Sequence, residues 1–226
     1  MIAAIADVHS NLEALKKVFG KIKNCEMILN AGDIVGYNAN PNECVDVIRK
    51  SKIKSVLGNH DHACITGDTV GMNPIAAEAV AWTRKRLGDD GMKCLRKLPE
   101  KLEIVYKGKS IVVLHGSPAD PINDYVFPWT LERIFEKFLK DAKADILILG
   151  HTHVPFVKKL ECGIVVNPGS VGQPRDHNRD ASYALIDVIR MDAKIFRVDY
   201  DIPKVCDEIL RAGLPDFLAE RLFFGL

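Results

Sequence analysis

The chain opens Met1-Ile2-Ala3-Ala4-Ile5-Ala6-Asp7-Val8-His9-Ser10. The apolar run from Ile2 to Ala6, bounded by polar residues, predicts a short buried strand. A carboxylate and an imidazole follow directly behind its carboxyl end. The pattern then recurs. Met27 to Leu29 predicts a strand ending at Asn30-Ala31-Gly32-Asp33, and Lys54 to Leu57 one ending at Gly58-Asn59-His60-Asp61. Helices fall between. Ser10, with Glu13 three positions on and apolar residues at Leu12, Leu15, Val18, Phe19 and Ile22, predicts a capping box opening an amphipathic helix. Asn42 to Lys50 and Pro74 to Leu87 predict two more, the last with proline in its first turn. Strand and helix alternating over the first ~90 residues predict a parallel sheet covered on both faces. Ligands of such sheets sit at the carboxyl ends of the strands.

The second half reads differently. Glu103 to Tyr106 and Ser110 to Leu114 flank Lys107-Gly108-Lys109, a hairpin signal. Leu131 to Lys140 predicts a helix. Asp145 to Leu149, Val154 to Leu160, Ile164 to Val166, Tyr183 to Val188 and Lys194 to Val198 predict strands, and Pro203 to Arg211 and Asp216 to Phe223 predict closing helices. The expectation is an α/β fold of two mixed β-sheets packed as a sandwich, with helices on both outer faces, spanning residues 1–226 as one domain.

Composition agrees with a globular chain. The 226 residues are 47% hydrophobic and 27% charged, which excludes a disordered chain. Lys+Arg is 31 against Asp+Glu 30, so the net charge is +1 and no overall field draws nucleic acid or anionic membrane. Any anion site has to be local. The six cysteines, Cys25, Cys44, Cys64, Cys94, Cys162 and Cys206, form no C-x-x-C pair and read as reduced thiols of a cytoplasmic protein. The N-terminus has no basic stretch of the kind a signal peptide carries, and no run approaches the ~18 apolar residues of a membrane span.

Five blocks carry unusual polar residues at predicted strand ends: Asp7-Val8-His9, Gly32-Asp33, Gly58-Asn59-His60-Asp61, His115-Gly116 and Gly150-His151-Thr152-His153. Five of the seven histidines lie inside them. In extended chain, residues i and i+2 point to the same side, so Asp7 with His9, and His151 with His153, are expected to aim at one centre. Imidazole with carboxylate and amide oxygen suits Mn, Fe, Zn, Co or Ni better than Ca or Mg. No cysteine lies in the blocks, which argues against a structural zinc site. Any one block alone has an ordinary explanation: a strand-end turn, or a hydrogen-bonded core histidine at His115. The ordered set does not.

This set resembles the calcineurin-like metallophosphoesterase superfamily, from residue 5 to about residue 185. The stretches Gly32-Asp-Ile-Val-Gly-Tyr37 and Asn167-Pro-Gly-Ser-Val-Gly-Gln-Pro-Arg175 are similar to its small single-domain prokaryotic phosphodiesterase and phosphatase branch. The resemblance implies a first metal on Asp7, His9 and His153, a second on Asn59, His115 and His151, and Asp33 bridging them. His60 follows a ligand and, by the same resemblance, faces the substrate as an acid or charge donor. One departure stands out. The protein Ser/Thr phosphatase branch continues its Gly-Asp block into Asp-Arg-Gly, whereas here the continuation is Gly36-Tyr37-Asn38. That removes an arginine contact to phosphate and the carboxylate that orients the catalytic histidine.

The expected reaction is hydrolysis of phosphodiester or phosphoanhydride bonds in small substrates, nucleotides among them, by two divalent transition-metal ions and a bridging hydroxide. Mn is the first choice of metal, with Fe, Zn, Ni or Co as alternatives. Phosphomonoesterase activity is the alternative, and a non-catalytic metal-binding scaffold a third reading. Arg175 reads either as an added phosphate contact or as a surface arginine paired with Asp176 or Asp180. Asn38, Tyr37 and His62 read either as pocket liners or as packing and surface residues. Trp82 reads as core, and Trp129 as a loop cover. The expected partner is a small phosphorylated substrate, with no stable nucleic-acid complex and no membrane; a homo-oligomer is compatible.

Overall fold

The computed structural model describes residues 1–226. Its strands are β1 (Ile2–Ile5), β2 (Met27–Asn30), β3 (Lys54–Ser55), β4 (Lys101–Tyr106), β5 (Lys109–Leu114), β6 (Ile146–Ile148), β7 (Phe156–Leu160), β8 (Gly163–Asn167), β9 (Ala181–Asp187) and β10 (Asp192–Val198). Its helices are α1 (Leu12–Ile22), α2 (Pro41–Lys50), α3 (Asn59–Thr66), α4 (Pro74–Arg86), α5 (Asp89–Leu95), α6 (Glu132–Ala142), α7 (Ile202–Arg211) and α8 (Asp216–Glu220), the last running into a 3-10 turn at Arg221–Phe223. No helix is long and apolar enough to cross a membrane.

The strands form two five-stranded sheets, in the orders β10-β9-β1-β2-β3 and β4-β5-β6-β8-β7. Both are mixed. In the first, β1, β2 and β3 run parallel and β9 and β10 antiparallel to their neighbours. In the second, β5, β6 and β8 run parallel, with β4 and β7 antiparallel at the edges. The expected α/β sandwich is therefore the fold.

Period-two alternation explains why the sheets stack. Ile2, Ala4 and Ala6 point inward with Leu29, Ile111, Val113, Ile146, Ile148, Ile164 and Val166, forming the layer between the sheets. Ala3 and Ile5 point the other way, onto α1 and α2 through Leu15, Val18, Val45 and Ile48. Val112, Leu114, Leu147 and Val165 likewise face α6 and its Phe135, Phe138 and Leu139. Each strand thus serves two apolar layers, so the near-continuous apolar runs were required by burial on both faces.

Three local readings change. Asn11, not Ser10, caps α1: its side chain accepts from the Ala14 N–H at 3.1 Å, while Ser10 sits at φ 57°. Strand β3 is two residues long, and the segment after it is helical from Asn59 onward. Helix α5 lies where no strand or helix was expected. What matters for the site is direction. The carboxyl ends of β1, β2, β3, β5, β6 and β8 all deliver their following loops to one end of the sandwich.

Candidate metal centre

The loops behind those strands bring Asp7, His9, Asp33, Asn59, His60, His115, His151 and His153 together. All but Asn59 are buried. Their ligand atoms form three overlapping groups: Asp7 with His9 and His153, His9 with Asp33 and His60, and Asp33 with His115 and His151. Asn59 joins through its amide oxygen, 3.1 Å from His115 Nε2.

Extended geometry is not what aims these side chains. Asp7, His9, Asp33, His151 and His153 all have φ between 46° and 69°, in the left-handed region. Asp and His are among the non-glycine residues that enter it most readily. Main-chain bonds hold them there. The Asp7 and His9 N–H groups donate to Gly32 O and Asp33 O at 3.0 Å each, and Gly172 N–H donates to Asp7 O at 2.9 Å. Gly58 and Gly172 have to be glycine, because a Cβ would lie 2.1 Å from Asp33 Oδ1 in the first case and 1.9 Å from Val8 O in the second.

The ring nitrogens decide what the cluster can hold. His9 Nδ1 lies 3.1 Å from Val35 O, and His153 Nδ1 lies 2.6 Å from Gln173 O. A carbonyl only accepts, so each Nδ1 carries the hydrogen and each neutral Nε2 presents a lone pair. Those two Nε2 atoms face each other at 3.0 Å. Asp7 Oδ1 lies 3.4 Å from one of them and 3.8 Å from the other. Lone pair against lone pair in a buried site calls for a cation between them.

The other half brings its donors together as closely. His115 Nδ1 is held by Ala31 O at 2.7 Å, and His115 Nε2 meets His151 Nδ1 at 3.0 Å and Asp33 Oδ2 at 3.3 Å. Asp33 Oδ2 is also 3.6 Å from His9 Nε2, so this one oxygen belongs to both halves.

Burial and mutual charge set the protonation. Burial holds His9 and His153 well below the usual imidazole range, and lowers His151 to about 3 and His60 to about 4. Neutral imidazole is the form that binds metal. Burial opposes charge on His115 too, but the adjoining Asp33 carboxylate raises it to about 9. Burial likewise works against the Asp33 charge, yet its imidazole neighbours, His115 first, hold it low. Burial then raises Asp7, the second carboxylate, to about 8. Without a metal, a proton on His115 supplies the positive charge that the donors demand.

Around the centre, the support of His60 is what the Gly36-Tyr37-Asn38 continuation implies. No carboxylate orients it. Its ring packs on that of Tyr37, centroids 4.4 Å apart, and its Nδ1 abuts Gly36, where a Cβ would come within 2.5 Å. Asp61 does other work, accepting from the N–H groups of Ile34, Val35 and Gly58 at 3.2, 3.0 and 3.3 Å. It thereby ties α3 to the loop carrying Asp33.

Arg175 lies at the rim with its guanidinium 5.5 Å above the Tyr37 ring and its Nη2 donating to Gln173 Oε1 at 2.9 Å. Arg175 forms no ion pair with Asp176 or Asp180, and Asp176 is bound by Arg197 instead. Asn38 does not reach the pocket. It is fully buried, with its amide donating to His9 O at 2.7 Å, which makes it a brace for the His9 backbone. His62 faces solvent, whereas Tyr37 does line the recess beside the centre. Trp82 packs against the helical core as expected, and Trp129, though 73% exposed, stacks on Phe127 of its own loop.

A family model for the calcineurin-like phosphoesterase superfamily domain matches residues 1–191. The chain belongs to this superfamily. Among similar proteins, an uncharacterized protein of Methanocaldococcus jannaschii is 40% identical, over 100% of this chain and 98% of its own length. The crystal structure of a metallophosphoesterase from Sphaerobacter thermophilus shares 34% identity at a TM-score of 0.86, covering 100% of this chain and 98% of the other. A hypothetical protein from Pyrococcus horikoshii OT3 has the same fold, with a TM-score of 0.92 at 24% identity over 100% and 99% of the two chains. Family and donor clusters together make this chain a metal-dependent phosphoesterase.

Replacing Asp61 of this phosphoesterase by Ala should leave three buried N–H groups unpaired. Each orphaned donor costs about 1–3 kcal/mol. Urea denaturation of metal-free protein should therefore show a loss of roughly 3 kcal/mol or more. A loss below about 1 kcal/mol would mean that water replaces the carboxylate.

Proposed function

We propose that the protein hydrolyses phosphodiester or phosphoanhydride bonds of small substrates, nucleotides among them, with two divalent ions, Mn foremost. Asp7, His9 and His153 would hold one ion, and Asn59, His115 and His151 the other, with Asp33 shared. The observation that carries this is the pair of inward lone pairs on His9 and His153, with His115 Nε2 and His151 Nδ1 just as close in the other half and Asp33 Oδ2 within 3.6 Å of both halves. When bound, the ions supply Lewis acidity toward phosphoryl oxygens and lower the pKa of water toward ~7.

The chain's own groups do the rest. His60 lines the recess next to the clusters, and with Nδ1 packed against Gly36 its Nε2 is the nitrogen left for substrate. A phosphate there gives Nε2 a reason to carry a proton and donate it toward the leaving oxygen, an effect worth roughly 10²–10⁴-fold. Arg175 is a fork of donors with no carboxylate partner and a buried, unpartnered Nε. Tyr37 beneath it fixes its plane, so it suits a phosphoryl oxygen turned away from the ions. All six cysteines are free thiols, which fits a reducing, cytoplasmic setting.

The direct test is activity after metal reconstitution, on bis-p-nitrophenyl phosphate against p-nitrophenyl phosphate. Mn-loaded protein should favour the diester and lose activity on chelation. A preference for the monoester would move the assignment to a phosphomonoesterase, and inactivity with every divalent ion would leave a scaffold.

Asp33→Asn should weaken both metal-binding events in calorimetry, because the shared oxygen loses its charge. His60→Ala should keep both and lose rate, since a contact made mainly in the transition state lowers kcat with little change in binding. Loss of a metal in His60→Ala would make His60 a ligand.

Arg175→Ala should lower kcat/KM by roughly 10–150-fold, the equivalent of losing one charge-assisted hydrogen bond of ~1.5–3 kcal/mol. Arg175→Lys should recover only part of it. Metal content and melting temperature should hold. An Arg175→Ala enzyme at full rate would return this arginine to a structural role.

A further inference from the structure

The loop after His115 is pinned to the residue it follows. The N–H groups of His115 and Gly116 donate to Pro121 O at 3.1 and 2.7 Å. Asp120 accepts from the Ile122 and Asn123 N–H groups at 3.1 and 2.9 Å. A Cβ on Gly116 would lie 2.4 Å from Asp120 O, so the loop lies directly on the chain there. Beyond this turn the residues alternate. Val126 is buried in the layer under α6, while Tyr125 and Trp129 are 56% and 73% exposed.

The rings on the outward side form a file. Phe127 and Trp129 stack at 4.7 Å between centroids and 6° between planes, and Tyr125 and Phe127 at 6.2 Å and 11°. At the inner end, the Tyr125 ring lies 3.9 Å from that of His151. Tyr125 also lines the recess of about 270 Å³ that holds His60, together with Val70, Met72, Asn73 and Asn123. No Lys, Arg, Asp or Glu lines that recess. It is aromatic and amide-lined, and it opens beside donors built for a cation. Its volume falls just below the ~300–1,000 Å³ of pockets that take a whole drug-sized ligand, so it suits one part of a substrate.

We propose that this recess is a nucleobase subsite, in which a heterocyclic base stacks on Tyr125 while the phosphate of the same nucleotide reaches the donor clusters. This rests on the phosphoesterase reading above for where the phosphate goes. The chemistry selects the occupant. Beyond His60 and His151 at its inner end, the recess offers no cation to meet a second phosphate. Tyr125 is 56% exposed, so a planar, uncharged ring gains stacking on the part of its ring that His151 and Phe127 leave open. Every base offers such a face, so stacking tolerates several bases. The Asn73 oxygen caps α4 and the Asn123 amide nitrogen is held by Asp120, so the Asn73 amide nitrogen is the donor and the Asn123 oxygen the acceptor left for the edge of the base. Phe127 and Trp129, behind Tyr125, hold its plane.

The test is calorimetric titration of the Mn-loaded protein with inorganic phosphate and with the non-hydrolysable phosphonate analogues of AMP and of ribose 5-phosphate. The AMP analogue should bind roughly ten-fold tighter than the ribose analogue. Tyr125→Ala should erase that difference, and Tyr125→Phe, which keeps the ring, should retain it. Equal affinities in the wild type, with phosphate still binding, would overturn the subsite alone. A protein that binds no phosphate would overturn the phosphoesterase reading and the subsite with it. A wild-type dimer that becomes a monomer in Trp129→Ala by sedimentation velocity, with no base preference, would make the stack a contact between copies and also overturn the subsite.

Discussion

Imidazole lone pairs facing one another at 3.0 Å, in a place that water does not reach, are the constraint on which this molecule is organised. Neutral donors so arranged repel unless something positive lies between them. Burial keeps most of those imidazoles unprotonated, so the demand for charge falls on His115 in the bare chain. The backbone pays for the arrangement as well. Five donor residues sit in left-handed conformations, which cost roughly 1–3 kcal/mol each when the side chain is not glycine. Such strain persists only where the surroundings over-determine it. Here those surroundings are a sandwich with apolar layers on both faces of each sheet, and main-chain bonds from Gly32, Asp33 and Gly172.

Much of the scaffold was legible because the physics is local. Ile2 to Ile5 is short, apolar and terminated by charge, and a strand between two apolar layers has little choice but to read so. The donors were legible for a related reason: histidine, aspartate and asparagine are rare directly behind buried strands unless they share a task. How the same residues are aimed was not legible. Asp7 and His9 converge through left-handed turns, which no glycine in Asp7-Val8-His9 announces. Helix α3 was hidden because Asn-His-Asp-His-Ala-Cys-Ile-Thr has no apolar period. Its start depends on the Asp61 carboxylate meeting N–H groups from another loop, a contact that sequence spacing does not reveal.

The surroundings of the centre show the other limit. Asn38 ends the Gly36-Tyr37-Asn38 continuation, and its amide was a plausible substrate contact by type alone. Burial and a 2.7 Å bond to His9 O give it to the backbone instead. Tyr37 and Tyr125 were the reverse case. The alternation in Tyr125-Val126-Phe127-Pro128-Trp129 is visible in the sequence, but that its outward side faces a recess beside His151 depends on the turn pinned to His115. The walls of the recess therefore lie in loops that the strand pattern positions but does not describe. Arg175 and Tyr37 form one wall of the centre and the Tyr125 file another, one cationic and one neutral.

The central claim is that Asp33 joins two cation sites. A crystal structure of Mn-soaked protein, with anomalous maps collected at the Mn edge, tests it most directly. Two anomalous peaks are expected on either side of Asp33 Oδ2, one within coordination distance of His9 Nε2 and His153 Nε2 and one of His115 Nε2 and His151 Nδ1. A single peak, or two peaks with Asp33 outside both coordination shells, would contradict it.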